Sequence, residues 1–242
     1  MKFETEKYEL AYPDGAEHHW WHVARNEIVY LACERMNAGN VLDVGCGRGI
    51  VVQSLRARNV EASGVELGPA KPLPGTEQYI RVETNALELP LVERERITTI
   101  LLLDVIEHVA DPVTFVRQLI DAFPNLANVI VTVPARPELW SNHDEFYGHH
   151  LRYTMPAIAK LADALHARCT WRSYFFRPLY PMLWLAARLK RKRNVALTAP
   201  PAWTRRLHKA LAKALVLEYR LLPRSIAGTS IIAVLECGLQ AG

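Results

Sequence analysis

Val41-Leu42-Asp43-Val44-Gly45-Cys46-Gly47-Arg48-Gly49 is the stretch on which the reading of this sequence turns. A short apolar run stops at three glycines spaced GxGxG, and residues 50–59, IVVQSLRARN, continue as a helix pattern. The order is strand, glycine turn, helix. Glycine lets the backbone bend sharply off a strand and approach a ligand with no Cβ in the way. The spacing is not the GxGxxG of dinucleotide folds. Asp43, two residues before the first glycine, would repel a pyrophosphate but suits a cationic amino-acid ligand. An oxidoreductase using a nicotinamide dinucleotide is therefore the weakest reading.

The same unit recurs outward from this point. VEASGVEL (60–67) and EQYIRVE (77–83) read as strands, and Glu66 stands where a carboxylate can accept both ribose hydroxyls. ITTILLLDV (97–105) and ANVIVTVP (127–134) read as fully buried strands, because their apolar runs do not alternate. DPVTFVRQLIDAF (111–123) predicts a helix with Asp111 as N-cap and Pro112 in its first turn. Strands alternating with helices imply an α/β fold, Rossmann-like and doubly wound, with ligands at the carboxyl ends of its strands. Upstream, residues 18–37 predict an amphipathic helix. Downstream, residues 135–153 lack periodicity and read as a loop or short lobe over the strand ends. Thr154 with Pro156 starts a helix to about His166, and residues 170–176 read as a strand. A basic amphipathic stretch fills 178–222, broken at Ala199-Pro200-Pro201, before an apolar strand at 229–237.

Composition excludes several classes. Half of the 242 residues are apolar and 22% are charged, which is incompatible with a disordered chain. No apolar run approaches the roughly 20 residues that span a bilayer, and MKFETEKYELAYPDG at the start has no secretory h-region. Cys33, Cys46, Cys169 and Cys237 lie far apart without CxxC spacing, so neither a disulfide framework nor a zinc knuckle is expected. A cytoplasmic location follows, peripheral to the inner membrane face if the basic stretch meets lipid. The net charge of +4 conceals a division. Residues 1–150 carry 13 basic and 22 acidic side chains, whereas residues 151–242 carry 16 and 3.

These motifs together resemble the class I S-adenosylmethionine-dependent methyltransferases. VLDVGCGRG is similar to their first motif and GVEL to the end of their second strand. NALELP (85–90) resembles the third motif, with Asn85 where an Asp is common. LLLDVIEHVADP (101–112) resembles the fourth strand of the ubiquinone-biosynthesis-like, small-molecule branch. HWWHVAR (19–25) and LWSNHDEFYGHHLRYT (139–154) resemble segments of members associated with glycan- and lipid-modifying enzymes. The resemblance implies a seven-stranded, mostly parallel sheet with an antiparallel final strand in one methyltransferase domain. Its parts would be an N-terminal helical cap (1–38), a cofactor core (39–134), an acceptor-side segment (135–177), a basic helical lobe (178–226) and the final strand and tail (227–242). It also implies S-adenosylmethionine as cofactor and S-adenosylhomocysteine as product. Asp43, Gly45, Cys46, Gly47 and Asp104 would surround the methionine end, and Glu66 the ribose. Leu67 would pack on adenine, with Asn85, Ala86 and Leu87 along its edge. Arg25 would pair with the cofactor carboxylate.

Methyl transfer from a sulfonium is an in-line displacement, and a hydroxyl acceptor must lose a proton. His143, Asp144, His149 and His150 cluster in the segment expected over the transfer site, and a histidine oriented by a carboxylate is a familiar base. Asp144 and Arg152 also suit an internal ion pair. Glu107 and His108, after the fourth strand, are read as fixing the helix entry rather than doing chemistry. No metal is assigned, since the histidines lack the i, i+4 spacing of helical metal sites. The absence of [DNS]-P-P-[YFW] after the fourth strand argues against methylation of base amino groups. In the basic stretch, Trp203, Leu207, Leu211 and Leu215 form one stripe, with Arg205, Arg206, Lys209 and Lys213 mostly away from it. Such a helix suits an anionic membrane surface, and less well the phosphates of RNA. Three functions follow: O-methylation of a small-molecule, glycan or lipid-linked hydroxyl; methylation of RNA or another polyanion; or a cofactor-binding partner protein without turnover.

Overall fold

The computed structural model describes residues 5–238. Residues 1–4 and 239–242 of the expected cap and tail lie outside them. A short helix, α1 (Thr5–Ala11), precedes α2 (Trp20–Arg35). His19 caps α2 by accepting a hydrogen bond from the Trp21 amide, and Asn37, with φ of 47°, turns the chain out of it. β1 (Val41–Val44), the glycine turn and α3 (Ile50–Arg56) follow as the sequence predicts. β2 (Ala62–Val65) leads to β3 (Ile80–Arg81), which is much shorter than the predicted 77–83. Residues 77–79 form a 3-10 turn, and Glu83, at φ 51°, ends extension on the far side.

A single turn, α4 (Leu91–Arg94), precedes β4 (Thr99–Leu103), α5 (Pro112–Ala122) and β5 (Asn128–Pro134). Asp111 caps α5, its Oδ1 accepting from the Thr114 amide at 3.0 Å. The segment expected as a loop contains α6 (Asn142–Tyr147), held by a capping box between Ser141 and Asp144. Six residues are too few for periodicity to reveal, but the Ser-x-x-Asp spacing was its sign. α7 (Met155–Ala164), β6 (Arg168–Phe175), α8 (Leu179–Arg188), α9 (Arg205–Leu221) and β7 (Ser230–Glu236) complete the order.

The strands form one seven-stranded sheet in the order β3-β2-β1-β4-β5-β7-β6. β7 runs antiparallel to both neighbours and the other strands are parallel among themselves. Each central strand feeds two cores, because successive side chains leave opposite faces. Ile100 and Leu102 of β4 join Val129 and Val131 on the face covered by α5 and α7. Leu101 and Leu103 join Ile130, Ile28 and Leu55 on the face covered by α2 and α3.

α9 corrects the expected lobe. Ala212, Leu215, Val216 and Tyr219 are buried in the second core, so this helix is a structural layer rather than an appendage. Burying a leucine there contributes roughly 1.5–3 kcal/mol. The expected stripe splits accordingly: Leu215 faces α2, whereas Trp203, Leu207 and Leu211 face solvent. The strand order reverses between β1 and β4, and there the carboxyl ends open a crevice.

Candidate functional site

The glycine turn is built for close approach. Gly45 and Gly47 have φ of 79° and 57°, a region that side chains rarely adopt. A Cβ would stand 2.9 Å from Val105 at Gly45, and 2.9 Å from the Tyr12 ring at Gly47. Glu66 braces this turn: its Oε2 accepts from the Gly47 amide at 3.0 Å and its Oε1 from the Gly68 amide at 2.8 Å. The Tyr8 hydroxyl also hydrogen-bonds this carboxylate, which leaves one acceptor site for a ribose hydroxyl. Asp43 is buried at the end of β1, and its Oδ1 has no hydrogen-bond partner. Burial pushes its carboxyl up to about 7, against the pull of Arg25.

A cavity of about 870 Å³ opens over the strand ends. Arg25, Gly45, Glu66, Leu67, Asn85 and Asp104 line it, and Ala86 joins them. The Cys46 thiol does not face it, packing instead against Gly64, so only backbone can serve there. Leu87 lies behind the wall, and its amide donates to Asn85 Oδ1 at 3.1 Å. Asn85 thus spends one lone pair as a cap and keeps its NH2 and a second lone pair for a base. Arg25, expected on the cofactor carboxylate, ion-pairs with Asp104 at 2.6 Å and stacks over Trp21 at 4.5 Å. Asp104 adopts φ of 57°, an uncommon conformation for a non-glycine residue and one found at ligand sites. Sequence reasoning missed Tyr8 and Tyr12, which line the same cavity from α1 and the residue after it. The only signal was aromatic residues spaced four apart in a segment too short to show a period.

The opposite wall carries the histidines. His143, His149 and His150 line the cavity, as does His108. Asp144 does not: it is fully buried and acts as a clamp rather than touching a ligand. Its Oδ1 lies 2.9 Å from His149 Nδ1 and accepts from Arg152 Nε at 2.8 Å, and its Oδ2 accepts from Arg152 at 3.1 Å and the Ser141 amide at 2.9 Å. Burial opposes its ionisation, but His149 and Arg152 hold the carboxyl well below the usual range. His143 packs on Tyr147 with ring centroids 4.7 Å apart, and its Nδ1 is buried without a hydrogen-bond partner. Burial, then nearby Arg193, brings His143 down to about 4, so it is neutral near pH 7.

Residues 17–175 match the family model described as a methyltransferase domain. The chain belongs to this family. Among curated proteins, the match to the ubiquinone biosynthesis O-methyltransferase of Pseudomonas fluorescens (strain Pf0-1) is 30% identical over 130 residues, covering 45% of this chain and 55% of that one. The corresponding protein of Hahella chejuensis is 34% identical over 83 residues, 31% of this chain and 35% of the other. This chain thus spans about half, or less, of the curated relatives it matches. Among solved structures, a SAM-dependent methyltransferase from Archaeoglobus fulgidus superimposes with a TM-score of 0.51 at 15% identity, over 88% of this chain and 94% of that one. A phosphoethanolamine N-methyltransferase 2 of Haemonchus contortus, complexed with S-adenosylhomocysteine, gives 0.51 at 16%, over 86% and 52%. At such identities the structural likeness speaks for the fold. Family and fold thus make this a methyltransferase-domain protein, with a crevice at the strand ends whose geometry fits the S-adenosylmethionine expected from the sequence.

Proposed function

We propose that this methyltransferase acts on a hydroxyl of a small, lipid-linked or glycan-like acceptor, with His143 as the base. The observation that carries the reading is His143, which lines the cavity and whose buried Nδ1 has no hydrogen-bond partner. A buried polar atom left without a partner is costly, and a catalytic role is one of the reasons a fold tolerates it. The acceptor oxygen attacks the methyl carbon as the C–S bond breaks. Sulfur leaves as the neutral thioether of S-adenosylhomocysteine, and the hydroxyl proton passes to the imidazole. The names of the curated relatives, ubiquinone biosynthesis O-methyltransferases, favour oxygen as the acceptor atom. His143→Ala is expected to lower turnover about 100-fold, the usual scale of a lost acid–base group, while cofactor affinity by calorimetry stays unchanged. Wild-type turnover in that variant would remove His143 from the chemistry.

The outer surface favours a membrane as the place of work. No helix among the described residues is long and apolar enough to cross a bilayer. Yet Trp203 is 85% exposed, and Leu207, Leu217 and Leu221 are exposed with it along the solvent side of α9. Arg206, Lys209 and Lys213 flank that ridge. Met182, which also lines the cavity, and Leu185 are exposed on α8. An apolar ridge with a basic flank suits an anionic bilayer interface. Wild-type protein is expected to sediment with vesicles containing anionic lipid and not with zwitterionic ones. Trp203→Ser combined with Leu207→Ser should reduce the bound fraction at least fivefold. Retention on RNA at physiological salt, with no vesicle binding, would favour the polyanion reading instead. Full cofactor affinity with no methyl acceptor in any cell extract would favour a partner protein without turnover.

A further inference from the structure

The basic run Arg188-Leu189-Lys190-Arg191-Lys192-Arg193 leaves the surface at its last residue. Arg188, Lys190, Arg191 and Lys192 are exposed, whereas Arg193 is half-buried and lines the cavity over the strand ends. Contacts from α6 draw it inward. The Arg193 amide donates to Asn142 Oδ1 at 2.8 Å, and the Asn142 amide group donates to the Arg193 carbonyl at 2.9 Å. Two residues on, the Tyr147 hydroxyl donates to the Val195 carbonyl at 2.7 Å. The linker between α8 and α9 is thereby fixed against the short helix that carries His143.

The Arg193 side chain makes no ion pair or hydrogen bond among the described residues. A guanidinium keeps its charge throughout the working pH range, and a charge taken from water is costly unless it is paired. The carboxyl groups of this wall do not supply the partner. Asp144 is taken by Arg152, His149 and the Ser141 amide. Glu107 is pushed well up by burial and by Asp104, towards its neutral form. Burial and then repulsion from Arg152 act against the Arg193 charge. That charge in turn bears on His143, next to Asn142 in sequence. The surrounding lining is apolar, from Leu179, Met182, Leu183 and Val195.

We propose that Arg193 receives an oxyanion, a carboxylate or a phosphate, which the methyl acceptor carries beside the hydroxyl that is methylated. A guanidinium offers such a group two parallel hydrogen bonds. A mainly apolar pocket takes its specificity from the few polar groups in it. The acceptor class is therefore amphiphilic, with an anionic head between Arg193 and His143 and an apolar body along α8 and the linker. The inference deepens the O-methylation reading and rests on the acceptor occupying this cavity. An anion at Arg193 also offsets the charge that disfavours a proton on His143, so the bound acceptor strengthens its own base.

The test reads binding without turnover, by calorimetry on the full chain saturated with S-adenosylhomocysteine. Hexanoate and hexyl phosphate are the anionic probes and hexanol is the neutral one. At least one anion is expected to bind about tenfold more tightly than hexanol. Tighter hexanoate assigns a carboxylate on the acceptor, and tighter hexyl phosphate assigns a phosphate. Arg193→Gln should abolish the preference for charge, with hexanol and S-adenosylhomocysteine affinities within about twofold of wild type. Arg191→Gln, in the exposed part of the run, should leave the preference intact. Because Arg193 has no side-chain partner to lose, Arg193→Gln should not lower the urea midpoint. Equal binding of charged and neutral probes, no saturable anion binding below about 10 mM, or a preference that survives Arg193→Gln overturns the proposal. The O-methylation reading fails separately: if Arg193→Gln loses the preference while His143→Ala keeps wild-type turnover, the oxyanion site stands and the base does not.

Discussion

Asp144→Ala is expected to cost about 3–5 kcal/mol of folding stability, the scale of breaking a buried ion pair by removing one partner. The carboxylate is fully buried and receives the two Arg152 hydrogen bonds, the Ser141 amide and the His149 ring. Without it Arg152, 7% exposed, keeps a buried charge whose paired carboxylate is gone. The capping box of α6 is lost in the same step. Since a domain's whole stability is about 5–15 kcal/mol, the loss should be plain in urea unfolding as a large fall in the midpoint. A loss below about 1 kcal/mol would mean that Arg152 finds another partner, and the clamp would not be what holds this wall.

Glu66→Ala and Asp43→Ala are each expected to weaken S-adenosylmethionine binding at least tenfold by calorimetry. Glu66 is tied to both Gly47 and Gly68, so its removal loosens the turn as well as losing the ribose acceptor. Asp43 adds a dependence on pH. Its carboxyl is neutral below about 7 in the free protein, and a cationic amino acid beside it favours the anion. Binding below pH 7 must therefore release a proton, and affinity should fall as acid is added. Calorimetry at pH 6 in buffers of different ionisation enthalpy measures that release. Zero release in the wild type, or equal release in Asp43→Ala, would separate Asp43 from the cofactor.

The cofactor half of the molecule was legible because its signals are local. Asp43 and the glycines lie within one heptapeptide, and Glu66 ends the next strand, so sequence order alone brings them together. β4, β5 and β7 were legible for a different reason: buried on both faces, they show unbroken apolar runs. What sequence hid was tertiary. Tyr12 reaches Gly47 only because α1 folds back over the turn. Arg25 meets Asp104 across the crevice, and His149 meets Glu107 and His108 only through the β4 and α6 junctions. On α9, alternate faces of one amphipathic helix are both partly apolar, so periodicity could not say that Leu215 goes inward and Leu207 outward. β3 failed because an edge strand needs little more than two residues of pairing, and propensity overstates it.

The position of β7 bears on how the chain acquires its shape in the cell. It is the last strand among the described residues, yet it lies between β5 and β6 and pairs with both along its length. During synthesis, β5 and β6 therefore emerge with their facing edges unsatisfied, and they stay so until residue 236 has left the ribosome. Exposed strand edges invite pairing with other chains, so this interval is a period of aggregation risk. Closure joins β7 to a strand about 100 residues earlier. Such distant pairing makes folding slow, so insertion of β7 between its two neighbours is the step that sets how long the edges stay open.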